Sequence, residues 1–471
     1  MKNINCRHIC SLCYGFSKIP RMVSLDIILL VVLPLKAQTG TLPLMQIETD
    51  NHRPVTSKTE YIAGTYFVVD NQNPEHNVGS AESPLSLEIK GRGHSSWRAA
   101  KKPYKIKLAE KMPLLGMDKH KHWALLKFYE PTVAGLYLGG IMGMDWTPST
   151  RPVEVILNGD YLGLYLLTET NRISKNRVNI YEQPNWNEDE NSIPYGWLVE
   201  VDNYYEPNQI RIKENNSWYL NITYHSPDSL SSAQRQWLID EFQDINTAIY
   251  DEDKNNSTWE NMIDVDAMAR YFIIQEVLDN SDGFHGSFYL HKDRADNAHW
   301  VAGPLWDLSC NQRAKTDYTF RMKTTYGFTP HWIGELIEDE DFCKAVRRAW
   351  DEFYPDQIDP WMEYIDEHLL LCGQAFEQEK VRWSYTNQDA LAERVDKLKS
   401  ALLANIEWFN NHVPSTPDTS TNIIPIEKEV VKVEYINMAG MHSSQPWNGV
   451  NIKVTTYDDG STSTTKMLVK N

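Results

Sequence analysis

The chain has 471 residues, 41% of them hydrophobic and 11% aromatic, with a net charge of −18. That balance is of a globular protein long enough for one large domain or two to three ordinary ones. The acidity argues against non-specific nucleic-acid binding and favours a metal-bound or cationic partner. The 16 Trp and 24 Tyr suit a large core or a surface that stacks on planar ligands or sugars.

Residues 1–37 read as an export leader. Lys2, Arg7, Lys18 and Arg21 precede the apolar run Ile27-Ile-Leu-Leu-Val-Val-Leu-Pro-Leu35, and Lys36-Ala37 offers a small residue at a cleavage point. The run is too short to span a bilayer comfortably. No later segment reaches about 18 uninterrupted apolar residues, so no integral membrane segment is expected once the leader is removed. Cys6, Cys10 and Cys13 fall in the leader. The body keeps Cys310, Cys343 and Cys372, an odd and widely spaced set that excludes a disulfide scaffold. One bridge plus a free thiol, or three buried thiols, both fit.

From residue 41 to about 183 the pattern is mostly strands. Tyr61-Ile-Ala-Gly-Thr-Tyr-Phe-Val-Val69 is strand-rich, and Leu85-Ser-Leu-Glu-Ile-Lys90 alternates before Gly91. In Pro103-Tyr-Lys-Ile-Lys-Leu108, Tyr104, Ile106 and Leu108 take one face and Lys105 and Lys107 the other. A short strand over 122–127 and a glycine-heavy helix over 133–144 follow. The clearest hairpin is 153–169, turned at Asn158-Gly159. After a strand over 196–202 the chain becomes helical. Helices are expected over 231–250, 264–278, 332–354, 361–376 and 391–408. Strands first and helices second give an α+β architecture. Residues 38–412 form the main domain, 413–428 a Pro- and Thr-rich linker, and 429–471 a small β module of three short strands with a turn at Asp458-Asp459-Gly460.

Between the helices lies Asp282-Gly-Phe-His-Gly-Ser-Phe-Tyr-Leu-His-Lys-Asp-Arg, a turn around Ala295-Asp296-Asn297, and then His-Trp-Val-Ala-Gly-Pro-Leu-Trp306-Asp307. Two strand-like runs about a turn make a hairpin, which brings its outer ends together. Asp282 and Asp307 then face one pocket, as in kinases, where a catalytic-loop acid and a metal-holding acid flank a short hairpin. The plain alternative is a surface hairpin with two incidental acids.

Specific words surround this hairpin. Arg92-Gly-His-Ser-Ser-Trp97, Lys102-Pro-Tyr-Lys-Ile-Lys107, Leu114-Leu-Gly-Met117, the 152–169 segment and Gly303-Pro-Leu-Trp-Asp307 occur in that order. Together, from about residue 84 to 350, they resemble the CotH family, the spore-coat-protein-H-like atypical kinases. The resemblance implies a divergent protein-kinase-like fold that uses ATP and Mg²⁺ (or Mn²⁺) to phosphorylate Ser or Thr of a secreted or surface protein. Asp307 matches the metal-holding acid. Asp282 matches the acid that orients the hydroxyl or shares the metal, with Asp279 its close competitor. Lys105 is placed to contact phosphates, with Lys102 and Lys107 as rivals, and Glu169 to pair with that lysine. Arg92 lies in a turn fit for phosphate approach, and Trp306 or Trp300 is placed to stack on adenine. Some positions depart from the family pattern. His94 stands where Asn is usual, Ser309 where a second acid or amide often follows Trp-Asp, with Asn311 as a distant stand-in. Residues 134–137 lack the usual Arg-Asn pair. The last module resembles C-terminal sorting domains of type IX secretion, which implies export to the periplasm, cell surface or medium. Two further readings stand beside the kinase: an inactive kinase-fold binding or assembly protein, and a carbohydrate-active enzyme built on paired carboxylates.

Overall fold

The computed structural model describes residues 41–213, 219–252, 258–280, 282–295, 298–311, 332–385, 387–414, 430–437, 440–457 and 462–469. The leader, most of the linker, and the turn residues 296–297 and 458–460 lie outside the described residues. Seven strands close into a barrel: β1 (Leu44–Thr49), β2 (Ile62–Val69), β3 (Leu85–Gly91), β4 (Tyr104–Leu114), β5 (Met117–Lys127), β6 (Thr150–Leu157) and β7 (Asp160–Glu169). Their order is β1-β2-β3-β4-β5-β7-β6, and a parallel β1–β6 pairing closes the ring. Closure removes the free edges a seven-stranded sheet would otherwise expose. The period of two puts Ile89, Ile106, Trp123, Leu125 and Tyr165 inside as a continuous apolar core. The β6–β7 hairpin turns at Asn158 (φ 53) and Gly159 (φ 77), the two left-handed positions of a type I′ turn.

A second sheet of five strands runs β12-β11-β8-β10-β9. Its members are β8 (Trp197–Val201), β9 (Gln209–Lys213), β10 (Tyr219–Ser226), β11 (Phe288–Lys292) and β12 (Val301–Ala302). The expected central hairpin is β11–β12, with Leu290 opposite Ala302 and His291 opposite Val301. The helices are α1 (Ser95–Arg98), α2 (Glu130–Ile141), α3 (Ser232–Ile249), α4 (Val265–Leu278), α5 (Ile333–Leu336), α6 (Glu340–Phe353), α7 (Ile358–Leu370), α8 (Gly373–Trp383) and α9 (Leu391–His412). Helix α3 starts in a capping box, Ser231 accepting from Gln234 N while Gln234 reaches back. Helix α4 is the axle of the larger core. Met268, Phe272, Ile274 and Val277 are fully buried, and α2, α6, α9 and β12 pack around it. Its first turn, with Asp266, and Arg270 reach the surface, and the rest of the helix is buried.

Two expected helices are each two. Helix α5 stops at Leu336, and Asp339 caps α6, accepting from Asp341 N and Phe342 N at 3.0 and 2.9 Å. The chain breaks again between α7 and α8 at Leu371 and Cys372. Cys310, Cys343 and Cys372 are free thiols. The last described unit is a four-stranded antiparallel sheet, β14-β13-β15-β16, from β13 (Val430–Asn437), β14 (His442–Ser443), β15 (Gly449–Tyr457) and β16 (Thr462–Val469). No helix among the described residues is long and apolar enough to cross a membrane.

Candidate active site

A cleft separates the outer wall of the barrel from the five-stranded sheet. It holds two adjoining cavities of about 520 and 450 Å³, with Arg92 and Trp306 on the walls of both. Lys105 and Ala124 line the first from the barrel, and Leu198, His225 and Tyr289 from the sheet. Asp307 lines the second, beside Lys127, Thr168 and Phe376.

The barrel wall of the first cavity is cationic by construction. Tyr104, Ile106 and Leu108 point inward, so Lys105 points out. Antiparallel pairing sets Lys90 of β3 directly opposite Lys105. Like charges at facing positions destabilise a sheet unless an anion relieves them. Arg172, just past β7, adds a third charge, and Arg92 a fourth. None of the four makes an ion pair with another described residue. Burial first, then Arg172, Lys90 and Arg92, bring the Lys105 ammonium down to about 8. The same field, with burial, holds His122 neutral, its value pushed to about 3.

Local packing delivers Arg92 and Asp307. Gly93 takes φ +83, and a side chain at Gly91 would strike the Trp97 ring. The Gly-Arg-Gly turn thus carries Arg92 into the cleft, where its guanidinium lies 5.2 Å from the Trp306 ring centre. On the other side, a side chain at Gly135 or Gly139 of α2 would collide with Leu308 or Leu305. These two glycines explain the glycine-heavy helix: they let the Pro304–Leu308 stretch press against α2. Asp307 itself is left-handed, φ 53, a conformation Asp tolerates better than most residues. Its carboxyl is reachable by solvent yet walled by protein. Burial raises it above the usual carboxylate range, Arg92 opposes that rise, and the charges of Asp282 and Glu200 add to it. Asp282 is half-exposed, in a turn pinned by Tyr271 donating to Gly283 O at 2.7 Å, with His285 Nε2 3.4 Å from its Oδ1.

Other expected site residues are placed elsewhere. Glu169 does not pair with Lys105: it shares parity with Tyr165 and Leu167 and faces the barrel interior. There it accepts from Ser149 N at 2.9 Å and lies 3.8 Å from Arg177. Lys102 donates to Trp97 O at 2.7 Å and lies over the Trp97 ring, so its charge holds the Gly-Arg-Gly loop and lines neither cavity. Lys107 pairs with Glu88 at 2.8 Å. Trp300 is fully buried, packs on Phe242 and donates to Glu241, leaving no face for adenine. Asp279 is buried at the left-handed end of α4. His94 stacks on Tyr204, ring centres 4.1 Å apart, and meets Glu206 at 3.0 Å, joining the β3–β4 loop to the β8–β9 loop. Ser309 donates to Asn280 Oδ1, and Asn311 donates through Nδ2 to Asp279 O, which ties both side chains to the end of α4.

Sequence reasoning missed Lys90, Arg172 and a buried pair. Alternation through 85–90 put Lys90 on the polar face, but only the register shows it facing Lys105. Arg172 carried no signal. Lys101 and Glu379 form a buried ion pair 278 positions apart; Lys101 also donates to Leu164 O, and Tyr385 donates to Glu379 at 2.6 Å. This network fixes α8 against β7 along the second cavity.

The donor chemistry separates two kinds of metal site. Among the described residues no three His, Cys, Asp or Glu side chains are grouped to hold a metal. Mg²⁺ usually takes one or two carboxylates and completes its shell with water and substrate phosphates. Asp307 lines the second cavity and feels the charge of Asp282, which lines neither cavity; such a set does not suit a resident ion held by protein alone. The unpaired cations fit the phosphates, and a cavity near 500 Å³ is in the range of ligand pockets. A family model described as CotH kinase protein matches residues 89–409 of the chain. No curated protein matches it.

Proposed function

We start from the fact that this chain belongs to the CotH kinase family, and we propose that it is an exported atypical kinase that moves the terminal phosphoryl group of ATP to a Ser or Thr hydroxyl of a secreted or surface protein. One observation carries this reading: three cations with no ion pair to another described residue, Lys105, Arg172 and Arg92, line the first cavity of a cleft whose second cavity is lined by Asp307, a walled-in carboxylate that feels the charge of Asp282. Phosphoryl transfer asks a protein for alignment and charge neutralisation, and this cleft supplies both. Lys105, Lys90, Arg172 and Arg92 hold the phosphates. Asp307 and Asp282 are the carboxylates that would ligate Mg²⁺ or Mn²⁺, which when bound neutralises phosphate charge. Asp282, half-exposed in its turn, orients the acceptor hydroxyl and takes its proton. Trp306, already under the Arg92 guanidinium, closes the floor between the cavities.

Export rests on the leader and on the separate C-terminal sheet, which suits a sorting module. Deletion of residues 430–471, with the leader intact, then leaves the protein in the periplasm and off the surface and medium. A second reading, a kinase-fold binding protein, draws support from Ser309, which stands where a second acid or amide often follows Trp-Asp in the family. Incubation with terminally labelled ATP and Mg²⁺ or Mn²⁺ separates them. The kinase transfers label, and Asp307→Asn does not while keeping its melting temperature. Nucleotide binding without transfer by the wild type leaves the binding protein.

A further inference from the structure

Asn171 lies two residues past β7, on the segment that leaves the barrel for the second sheet, and it lines the first cavity. Its side-chain amide is buried, and neither its oxygen nor its nitrogen has a hydrogen-bond partner. Buried amides are almost always paired, because an unmade hydrogen bond in a protein interior is costly. Both halves of one amide left over beside a cavity indicate a ligand that brings a donor and an acceptor side by side. The cavity is graded to match. Lys105, Arg92 and Arg172 give it a cationic wall, and Ala124 from the barrel, with Ile173 and Leu198 from the other side, gives apolar surface for a flat ring.

We propose that Asn171 is the residue that reads the nucleobase. The inference rests on the nucleotide reading above and adds to it the group that selects the base. Adenine offers an amino donor beside a ring-nitrogen acceptor, and an Asn amide meets both at once. No described group hydrogen-bonds the amide in place, so on binding the side chain turns out of the closed position it holds here to meet the incoming edge. His225 and Tyr289, on the opposite wall, are committed to Glu200 and to each other, so neither offers the base a free donor–acceptor pair.

Calorimetric titrations of the full chain with ATP, GTP and inorganic tripolyphosphate, all with Mg²⁺, test this. Asn171→Ala is expected to lose about tenfold or more in ATP affinity, the value of two modest hydrogen bonds, with tripolyphosphate binding unchanged. Asn171→Asp offers two acceptors and no donor, so it opposes the adenine ring nitrogen and suits the two adjacent N–H groups of guanine. Its ATP-to-GTP preference shifts toward GTP by a similar factor, whatever the added charge does to all three ligands together. Retained tripolyphosphate binding shows that either variant is folded. Wild-type ATP affinity in Asn171→Ala, or an unmoved ATP-to-GTP ratio in Asn171→Asp, overturns the assignment while leaving the nucleotide site standing. A wild type that binds neither ATP nor tripolyphosphate removes the nucleotide reading itself, and this inference with it.

Discussion

Lys105→Met is expected to stabilise the protein and disable it. Lys105 sits opposite Lys90, near Arg92 and Arg172, with its ammonium brought from an ordinary 10.5 to about 8. At about 1.4 kcal/mol per tenfold, that drop corresponds to roughly 3 kcal/mol spent on keeping the charge in place at pH 7. The sign follows from the folded value lying below the unfolded one. The cost is fully present below about pH 8 and fades as pH rises toward 10.5. Methionine keeps the apolar stem and removes the charge. Calorimetric melting at pH 7 is therefore expected to shift upward by a few degrees, and the shift to shrink by pH 10. Tripolyphosphate raises the melting temperature of the wild type and much less that of the variant, since a bound anion relieves the repulsion that the variant lacks. Binding also draws a proton onto Lys105, so wild-type anion affinity falls as pH rises through about 8. A variant that melts lower than wild type at pH 7, or that is stabilised equally by tripolyphosphate, refutes the reasoning.

Glu169→Ala tests the corrected role of that residue: it removes the acceptor of Ser149 N and the partner of Arg177 inside the barrel, lowering stability by about 1–3 kcal/mol, while ATP affinity measured by calorimetry stays within about twofold. Lys101→Met leaves Glu379 buried and unpaired, so the denaturant midpoint drops by an amount worth about 3–5 kcal/mol; a drop under about 1 kcal/mol contradicts a structural role for the pair. Asp202 is raised to about 6 by burial and by the neighbouring Glu200 and Glu206. Since its folded value lies above its unfolded one, the cost sets in as pH rises from about 4 and is fully present above about 6. Asp202→Asn is then expected to melt higher than wild type at pH 7.5 and no higher at pH 4.

The barrel was legible where alternation is strict. Tyr104, Ile106 and Leu108 gave the face of β4, and so the outward aim of Lys105. The same parity applied to β7 puts Glu169 inside with Tyr165 and Leu167; its position at a strand end suggested a lysine partner that its face forbids. Strands β9 and β10 were passed over, although Gln209-Ile-Arg-Ile-Lys213 alternates, because polar residues interrupt the pair. Helix ends were readable at Ser231, whose capping box is local, and unreadable at Asp339, where a cap falls inside an otherwise continuous amphipathic run. Asp307 could be found by its word, but what holds it there could not: Gly135 and Gly139 act through Leu308 and Leu305, about 170 residues away in sequence. The cation cluster needed register as well as pattern, since Lys90, Lys105 and Arg172 come from three segments.

The central claim is that a nucleotide and its metal meet at Asp307. Electron paramagnetic resonance of Mn²⁺ tests it most directly, because ion free in water and ion held by protein give different spectra. The full chain is expected to take up Mn²⁺ only when ATP is present, and Asp307→Asn to bind ATP without capturing the ion. A folded wild-type protein that leaves the Mn²⁺ and ATP spectrum unchanged, or an Asp307→Asn variant that captures the ion as fully as wild type, contradicts the claim.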